Sequence, residues 1–420
     1  MKSRKPAGSR SDGKMEEAIL GFLRSLTIID AHEHFKPERD QLAQAVDFSY
    51  LLLYTVCDLA SAGMAPFSPW DRTLSAEEKW RRVKPFWPAV RHGSYAQGTR
   101  LNIGFLTGDT DLTEDNYQQL GHVLRRQNQP GIYRRFCSDQ LRIERIIVSN
   151  GTRAVEPFPY SGQDLKLMRL IIGCFSPRST AELEYYEKAT GRPWRTARQM
   201  REGIRTLVAG AAQDRAVVGF KSMAQPMGAY DIKGTDAALR RMRRQGRLGR
   251  DEQSVVNRFF YDEAMAAIRP TGLPVAVHCG VWGDYRMVDV GNFIDLVIRN
   301  PDIRFDLFHM GMPATRETGL VAKNFSNVTV NLCWSPLLST SMFEHALQEW
   351  MDYVPLNKII GFGGDIIYCP QLAYGYLEMC RRSLARVMAR RIGGGLMDFD
   401  EACRVLRMLM YENPKAIYRL

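Results

Sequence analysis

Three things are missing from this 420-residue chain: a CxxC pair, an uncharged apolar run of 18 residues, and an apolar segment behind its basic start, MKSRKPAGSRSDGK. Its eight cysteines (57, 137, 174, 279, 333, 369, 380, 403) fall singly in apolar segments. That pattern suits buried thiols in a reducing, cytoplasmic setting and argues against a disulfide framework. Without a long apolar run the sequence offers no membrane span. Without an apolar core behind the basic start no secretory signal is expected. Its Arg and Ser content allows an organelle-targeting reading, but residues 1–14 are expected as a disordered tail ahead of one domain, 15–420.

Acidic residues are in deficit, 46 against 57 lysines and arginines, for a formal charge of +11. Only RRMRRQGRLGR (240–250) is a dense basic run, and elsewhere arginines alternate with acids. The run reads as a solvated helix and turn, and nucleic acid is not expected as a partner. The balance gives slight support to an anionic small-molecule substrate. With 45% apolar and 25% charged residues the composition is globular and leaves oligomeric state open, self-association included.

What is present is a repeating pattern. Apolar runs at 25–32, 143–151, 167–175, 216–222, 273–280, 303–311, 328–334 and 358–365 are continuous and not alternating. Strands buried on both faces of a parallel sheet read this way. Helical stretches at 179–189, 256–268, 290–300 and 342–354 lie between them, and 374–392 and 399–420 follow the last. From His278 to His309 is 31 residues, from His309 to Trp334 is 25, and from Trp334 to Asp365 is 31. Each interval is about one strand–helix–strand unit of roughly 30 residues. Eight such units predict an α/β fold of the (β/α)8 TIM-barrel type, with the functional groups at the C-terminal strand ends. An open doubly wound sheet would carry a glycine-rich loop after its first strand, where this chain has AHEHF.

One stretch departs from the repeat. Residues 36–137, after the first strand, carry helical periodicity at 48–64 and 73–90 with proline–aromatic clusters between. Its place on the catalytic face predicts either a cap that shapes the substrate pocket or a helical appendage with a small core of its own.

Histidine is scarce, at seven residues, yet four of them mark strand ends. His32 and His34, at i and i+2, point to one face and reach one place above the barrel mouth. His278 ends the fifth strand and His309 the sixth, while Asp365 closes the eighth after the glycines of GFGGD, which leave room for metal and substrate. Imidazole suits Zn, Fe, Ni or Mn. Asp30 is placed to orient a ligating imidazole, and Glu33 projects to the opposite face. Lys221 sits at the end of the fourth strand, and Trp334 ends the seventh, where it would line the pocket. Arg286 and Glu317 fall on the loops after strands five and six, near the mouth, with no defined role.

In this order the residues resemble the amidohydrolase superfamily. FHMGMP, NLCWSP, GFGGD and YENPKAIYRL are most similar to its amidohydrolase-related branch, which includes decarboxylases and stands near the uronate isomerases. The resemblance covers about 30–35 and 143–420. It implies that His32, His34, His278 and Asp365 hold a divalent metal, zinc foremost, with Mn, Fe or Ni as alternatives. It implies that Asp365 also takes the proton of the attacking water and that His309 is catalytic or ligates a second ion. Lys221 would be a carboxylated metal bridge in a binuclear site or a contact to a substrate carboxylate in a mononuclear one. The expected activity is hydrolysis of a C–N or C–O bond in a small, carboxylate-bearing metabolite. Decarboxylation or uronate-type isomerisation on the same site is the alternative.

Overall fold

Each of the eight apolar runs contains a strand in the computed structural model, which describes residues 8–150, 160–281 and 283–420. The strands are β1 (Ile28–Glu33), β2 (Ile143–Asn150), β3 (Met168–Gly173), β4 (Val217–Met223), β5 (Val275–His278), β6 (Phe305–Leu307), β7 (Val328–Asn331) and β8 (Ile359–Ile360). Gly151, the expected end of the second run, lies outside the described residues. Neighbours pair in parallel in sequence order, β1 through β8. The ring closes through the segment after β8: Ala31 N donates to Phe362 O at 3.0 Å, Asp365 N to His32 O at 2.8 Å and His34 N to Ile366 O at 2.9 Å. Asp365 and His32 are therefore backbone neighbours across the seam of the barrel.

Strand burial follows the architecture. Every residue of β1 and β7 is buried, because helices cover the outside of the ring and side chains fill the inside. Ala31, Ile147, Ile171, Val218, Ala276 and Ile360 form a small core with Ile417 and Tyr418 of the C-terminal helix. The Tyr418 hydroxyl donates to Asp306 at 2.6 Å, which fixes that helix on the ring.

One expectation changes at the chain's beginning. The first helix starts at Gly8, within the stretch expected as a disordered tail, and residues 1–7 lie outside the described ones. Ile19 and Leu23 are fully buried, and Arg24 pairs with Glu378 at 2.5 Å, so the helix is anchored on the helix Leu372–Gly393 and extends toward its N-terminus from there. The expected helix over 399–420 stays helical from Phe399 to Tyr418, passing through a π-helical turn at Met408–Glu412 with Pro414 just after it.

The insertion folds as short helices, among them Thr55–Ser61, Ala76–Val83, Ser94–Thr107 and Tyr117–Gln127. Its apolar residues, such as Phe48, Leu51, Trp80 and Ile103, belong to the same continuous core as the barrel strands and helices, not to a separate one. Gly98 and Gly375 allow Ser94–Thr107 to approach Leu372–Gly393 closely: a Cβ on Gly375 would stand 2.4 Å from Gly98 O. The basic run 240–250 is the end of the helix Ile232–Gln245 and the turn after it, with Arg241 on Glu252 and Arg243 on Glu187. All eight cysteines are free thiols. Among the described residues no helix is long and apolar enough to cross a membrane.

Candidate metal centre

The loops leaving β6, β7 and β8 turn sharply at the expected site residues. His309, Trp334 and Asp365 have φ of 60°, 61° and 60°, a left-handed backbone that costs a non-glycine residue roughly 1 kcal/mol or more. The surrounding contacts hold these conformations in place. On β1 the i, i+2 spacing brings both imidazoles to one atom: Nε2 of His32 lies 3.2 Å and Nε2 of His34 3.1 Å from Oδ1 of Asp365.

The hydrogen bonds also fix ring tautomers. His34 Nδ1 faces the carbonyl oxygen of Ser149 at 3.1 Å, which can only accept, so Nε2 is the ring atom left facing Asp365. His309 Nδ1 faces the Cys333 carbonyl at 3.3 Å in the same way, and its Nε2 then accepts from His278 Nδ1 at 3.1 Å. That leaves Nε2 of His278 as a free donor to a cation. His309 can itself turn to an ion only by giving up His278. Both arrangements have geometric support: donor atoms of His32, His309 and Asp365 lie within 4.8 Å of one another, but only His278 of the two borders the cavity.

Charge states follow from burial. Desolvation lowers His32 to about 3 and His278 to about 4, with the Lys221 charge adding to both. His309 is held well below the ordinary imidazole value, by burial and then by His278. Burial alone would raise the Asp365 carboxyl, but His32 and His34 outweigh it and hold it well below the usual carboxylate range. Neutral imidazoles beside an ionised carboxylate are the states that metal ligation requires. Ligands of one ion at about 2.1 Å stand roughly 3.0–3.4 Å apart at octahedral or tetrahedral angles. The His32, His34 and Asp365 spacings fall in that range, so this donor set fits a divalent ion.

A cavity of about 390 Å³ opens onto the cluster, bordered by His32, His34, His278, Asp365, Lys221 and, from the insertion side, Phe35, Lys36 and Tyr54. Lys221 is 4% exposed, and its ammonium lies 3.5 Å from the centre of the Phe308 ring with no hydrogen-bond partner. Desolvation lowers it to about 8, so it remains a cation at neutral pH.

Several sequence expectations are placed differently. Asp30 does not touch a histidine ring: its Oδ1 accepts from His32 N and Gly364 N, both at 3.3 Å, and His32 Nδ1 is buried without a partner. Trp334 is 1% exposed and does not border the cavity. The turn at its positive φ packs its ring behind His309 at 5.5 Å and beside Tyr54 at 5.4 Å. Arg286 is tied to Asp284 at 2.7 Å and Glu317 is exposed on the helix Thr315–Asn324, and neither borders the cavity. The glycines before Asp365 make room for the fold and not for a ligand. A Cβ on Gly363 would stand 2.9 Å from His32 N, and one on Gly364 2.2 Å from Glu33 Oε1.

Two contributors, Tyr54 and Ser149, went unnoticed in the sequence. Tyr54 donates to the backbone carbonyl of Asp365. Ser149 orients His34, and its only signal was its place in the last residues of β2. Glu33 is fully buried with Asp30 behind the site, where Ile366 N donates to its Oε2 at 2.5 Å. Burial raises Asp30 to about 7 and, with the Asp30 charge, raises Glu33 well above the ordinary value.

Fold and donor set together define a barrel enzyme of the metal-dependent type. The chain belongs to the amidohydrolase family, whose model matches residues 153–420. It is 24% identical over 233 residues to the protein fluG of Emericella nidulans, covering 51% of this chain and 27% of that one, so the chain spans about a quarter of that relative's length. Among solved structures it is similar to glucuronate isomerase from Caulobacter crescentus (TM-score 0.77, 14% identity, 99% of this chain and 95% of that one). Uronate isomerase from Thermotoga maritima is also similar (TM-score 0.74, 14% identity, 96% and 97%).

Proposed function

We propose that this protein is a hydrolase in which His32, His34, His278 and Asp365 hold one divalent ion, zinc by donor preference. Its substrate is a small, carboxylate-bearing metabolite, and the free thiols suit a cytoplasmic setting. The observation that carries this reading is the convergence of two imidazole Nε2 atoms on one Asp365 oxygen beside a metabolite-sized cavity. When bound, the ion supplies a Lewis acid that polarises the scissile carbonyl and makes water acidic near neutral pH.

The chain's own groups do the rest. Asp365, kept ionised, takes the proton of the attacking water and returns it to the leaving group. His309 holds His278 in the tautomer that presents Nε2. Lys221, an uncompensated buried cation, pairs with a substrate carboxylate. Its side chain touches no carboxylate within 4.0 Å among the described residues, so a substrate carboxylate would be its counter-ion.

A second reading, isomerisation of a uronate, is favoured by the likeness to the two isomerases across at least 95% of either chain in each comparison. Product mass separates the readings. Hydrolysis adds the elements of water, isomerisation leaves the mass unchanged and decarboxylation removes carbon dioxide. Purified protein should carry about one equivalent of zinc or a related ion, and Asp365→Asn and His32→Ala should each lower turnover more than about a hundredfold. Less than roughly half an equivalent, with both variants as active as the native chain, would remove the metal from the mechanism.

A further inference from the structure

The cavity holds a second cation that the reaction as derived does not use. Lys36, just past β1, borders it from the exposed rim, whereas Lys221 is buried beside the metal set. Among the described residues neither lysine has a carboxylate within ion-pair distance. Against these two cations the described wall offers one carboxylate, Asp365, which the donor set already occupies. The histidines of the wall add no negative charge to offset them.

Apart from the donor set, much of the described wall is apolar. Phe35, Phe175, Met223 and Ile367 contribute apolar surface. The two tyrosines spend their protons inside the chain, Tyr54 donating to the Asp365 carbonyl and Tyr160 to the Phe35 carbonyl at 2.6 Å. The Ser149 carbonyl already faces His34 Nδ1. A polyhydroxylated acid placed here would leave several hydroxyls facing carbon, and each buried, unpaired hydroxyl is unfavourable. A ligand with charge at both ends and hydrocarbon between them matches the two lysines and the apolar part of the described wall.

We propose that the substrate is a dianion with an apolar core, one anionic group on Lys221 beside the metal set and the other on Lys36 at the rim. The inference rests on the metal-dependent reading for the place of the reacting bond. It adds a specificity-determining residue, Lys36, and weighs against a sugar acid as the natural substrate.

Binding to the metal-loaded protein, measured by calorimetry without turnover, tests it. The probes are adipate and glutarate as dicarboxylates, hexanoate as the monocarboxylate and glucuronate as the polyhydroxylated acid. The better dicarboxylate should bind at least tenfold more tightly than hexanoate, the scale of one charge-assisted pair, and more tightly than glucuronate. Lys36→Met should bring the dicarboxylate-to-hexanoate ratio close to one, and Lys36→Arg should keep most of it. Glucuronate binding more tightly than both dicarboxylates would overturn the proposal. So would an unchanged ratio in Lys36→Met, or a carbamate carbon on Lys221 seen by 13C NMR after incubation with labelled bicarbonate. Tight dicarboxylate binding, together with Asp365→Asn and His32→Ala variants as active as the native chain, would leave this inference standing while refuting the metal-dependent hydrolase.

Discussion

The Tyr54 hydroxyl donates a hydrogen bond to the backbone carbonyl oxygen of Asp365, joining the insertion to the residue on which His32 and His34 converge. Asp365 has a left-handed backbone, and its carbonyl is buried beneath Tyr54 and Trp334. The insertion therefore holds one end of the donor set.

Tyr54→Phe leaves that carbonyl without its donor at a cost of about 1–3 kcal/mol. Guanidinium unfolding should show a loss of that size, and metal affinity should fall with it. A variant with native stability, native metal content and native turnover would show that the tie is incidental.

Gly363→Ala forces a Cβ to within 2.7 Å of Cys333 Cβ and 2.9 Å of His32 Cβ. Overpacking of this kind costs roughly 1–3 kcal/mol, and here the displaced atoms belong to a ligand strand. Metal content should drop along with the melting temperature. Gly210→Ala is the control, since nothing lies within 4 Å of its Cβ position and it sits inside the helix Ala197–Ala212. It should be neutral or stabilising by up to about 1 kcal/mol.

His278 is lowered to about 4 in the folded chain, against an ordinary value near 6.5 when unfolded. Between these values the unfolded chain binds more protons, so this residue makes stability fall as pH drops from 6.5 toward 4. Metal-free His278→Gln should therefore lose less stability than the metal-free native chain between pH 7 and pH 4.5. An equal loss of unfolding free energy in the native chain and the variant between the two pH values, read from denaturant titrations, would contradict a buried, neutral His278.

Asp30 works in the opposite sense. Burial raises it to about 7, so the folded chain holds a proton there that the unfolded chain releases above about 4. The stability tied to that proton is present at low pH and is lost as pH rises through 7. Asp30→Asn keeps an oxygen to accept from His32 N and Gly364 N and removes the ionisation. Between pH 6 and pH 8.5 the variant should gain about 1 kcal/mol on the native chain, because the native slope of about 1.4 kcal/mol per pH acts only up to 7. A constant difference across that range would place the proton elsewhere.

Much of the barrel could be read along the chain. A strand buried on both faces must be a short, continuous apolar run, so IIDAHE, VVGFKSM and VTVN carried their own assignment, and the interval from His278 to His309 fixed the repeat. The insertion was legible as helical but not as part of the main core, because periodicity shows that a face is apolar and not what covers it. Trp334 was misplaced for a related reason: residue type put it at a strand end, while the left-handed turn that sends it behind His309 has no sequence signature outside glycine.

The sequence by itself determined the order of the strands and which residue types end them, since those are local properties of periodicity and composition. Only the tertiary structure decided that His32 and Asp365 meet across the closing seam, that Asp30 and Glu33 lie buried behind them, and that Lys36 and Lys221 share one cavity. Those relations join positions up to several hundred residues apart. They exist because closing the ring brings β8 against β1, and no local pattern encodes that distance.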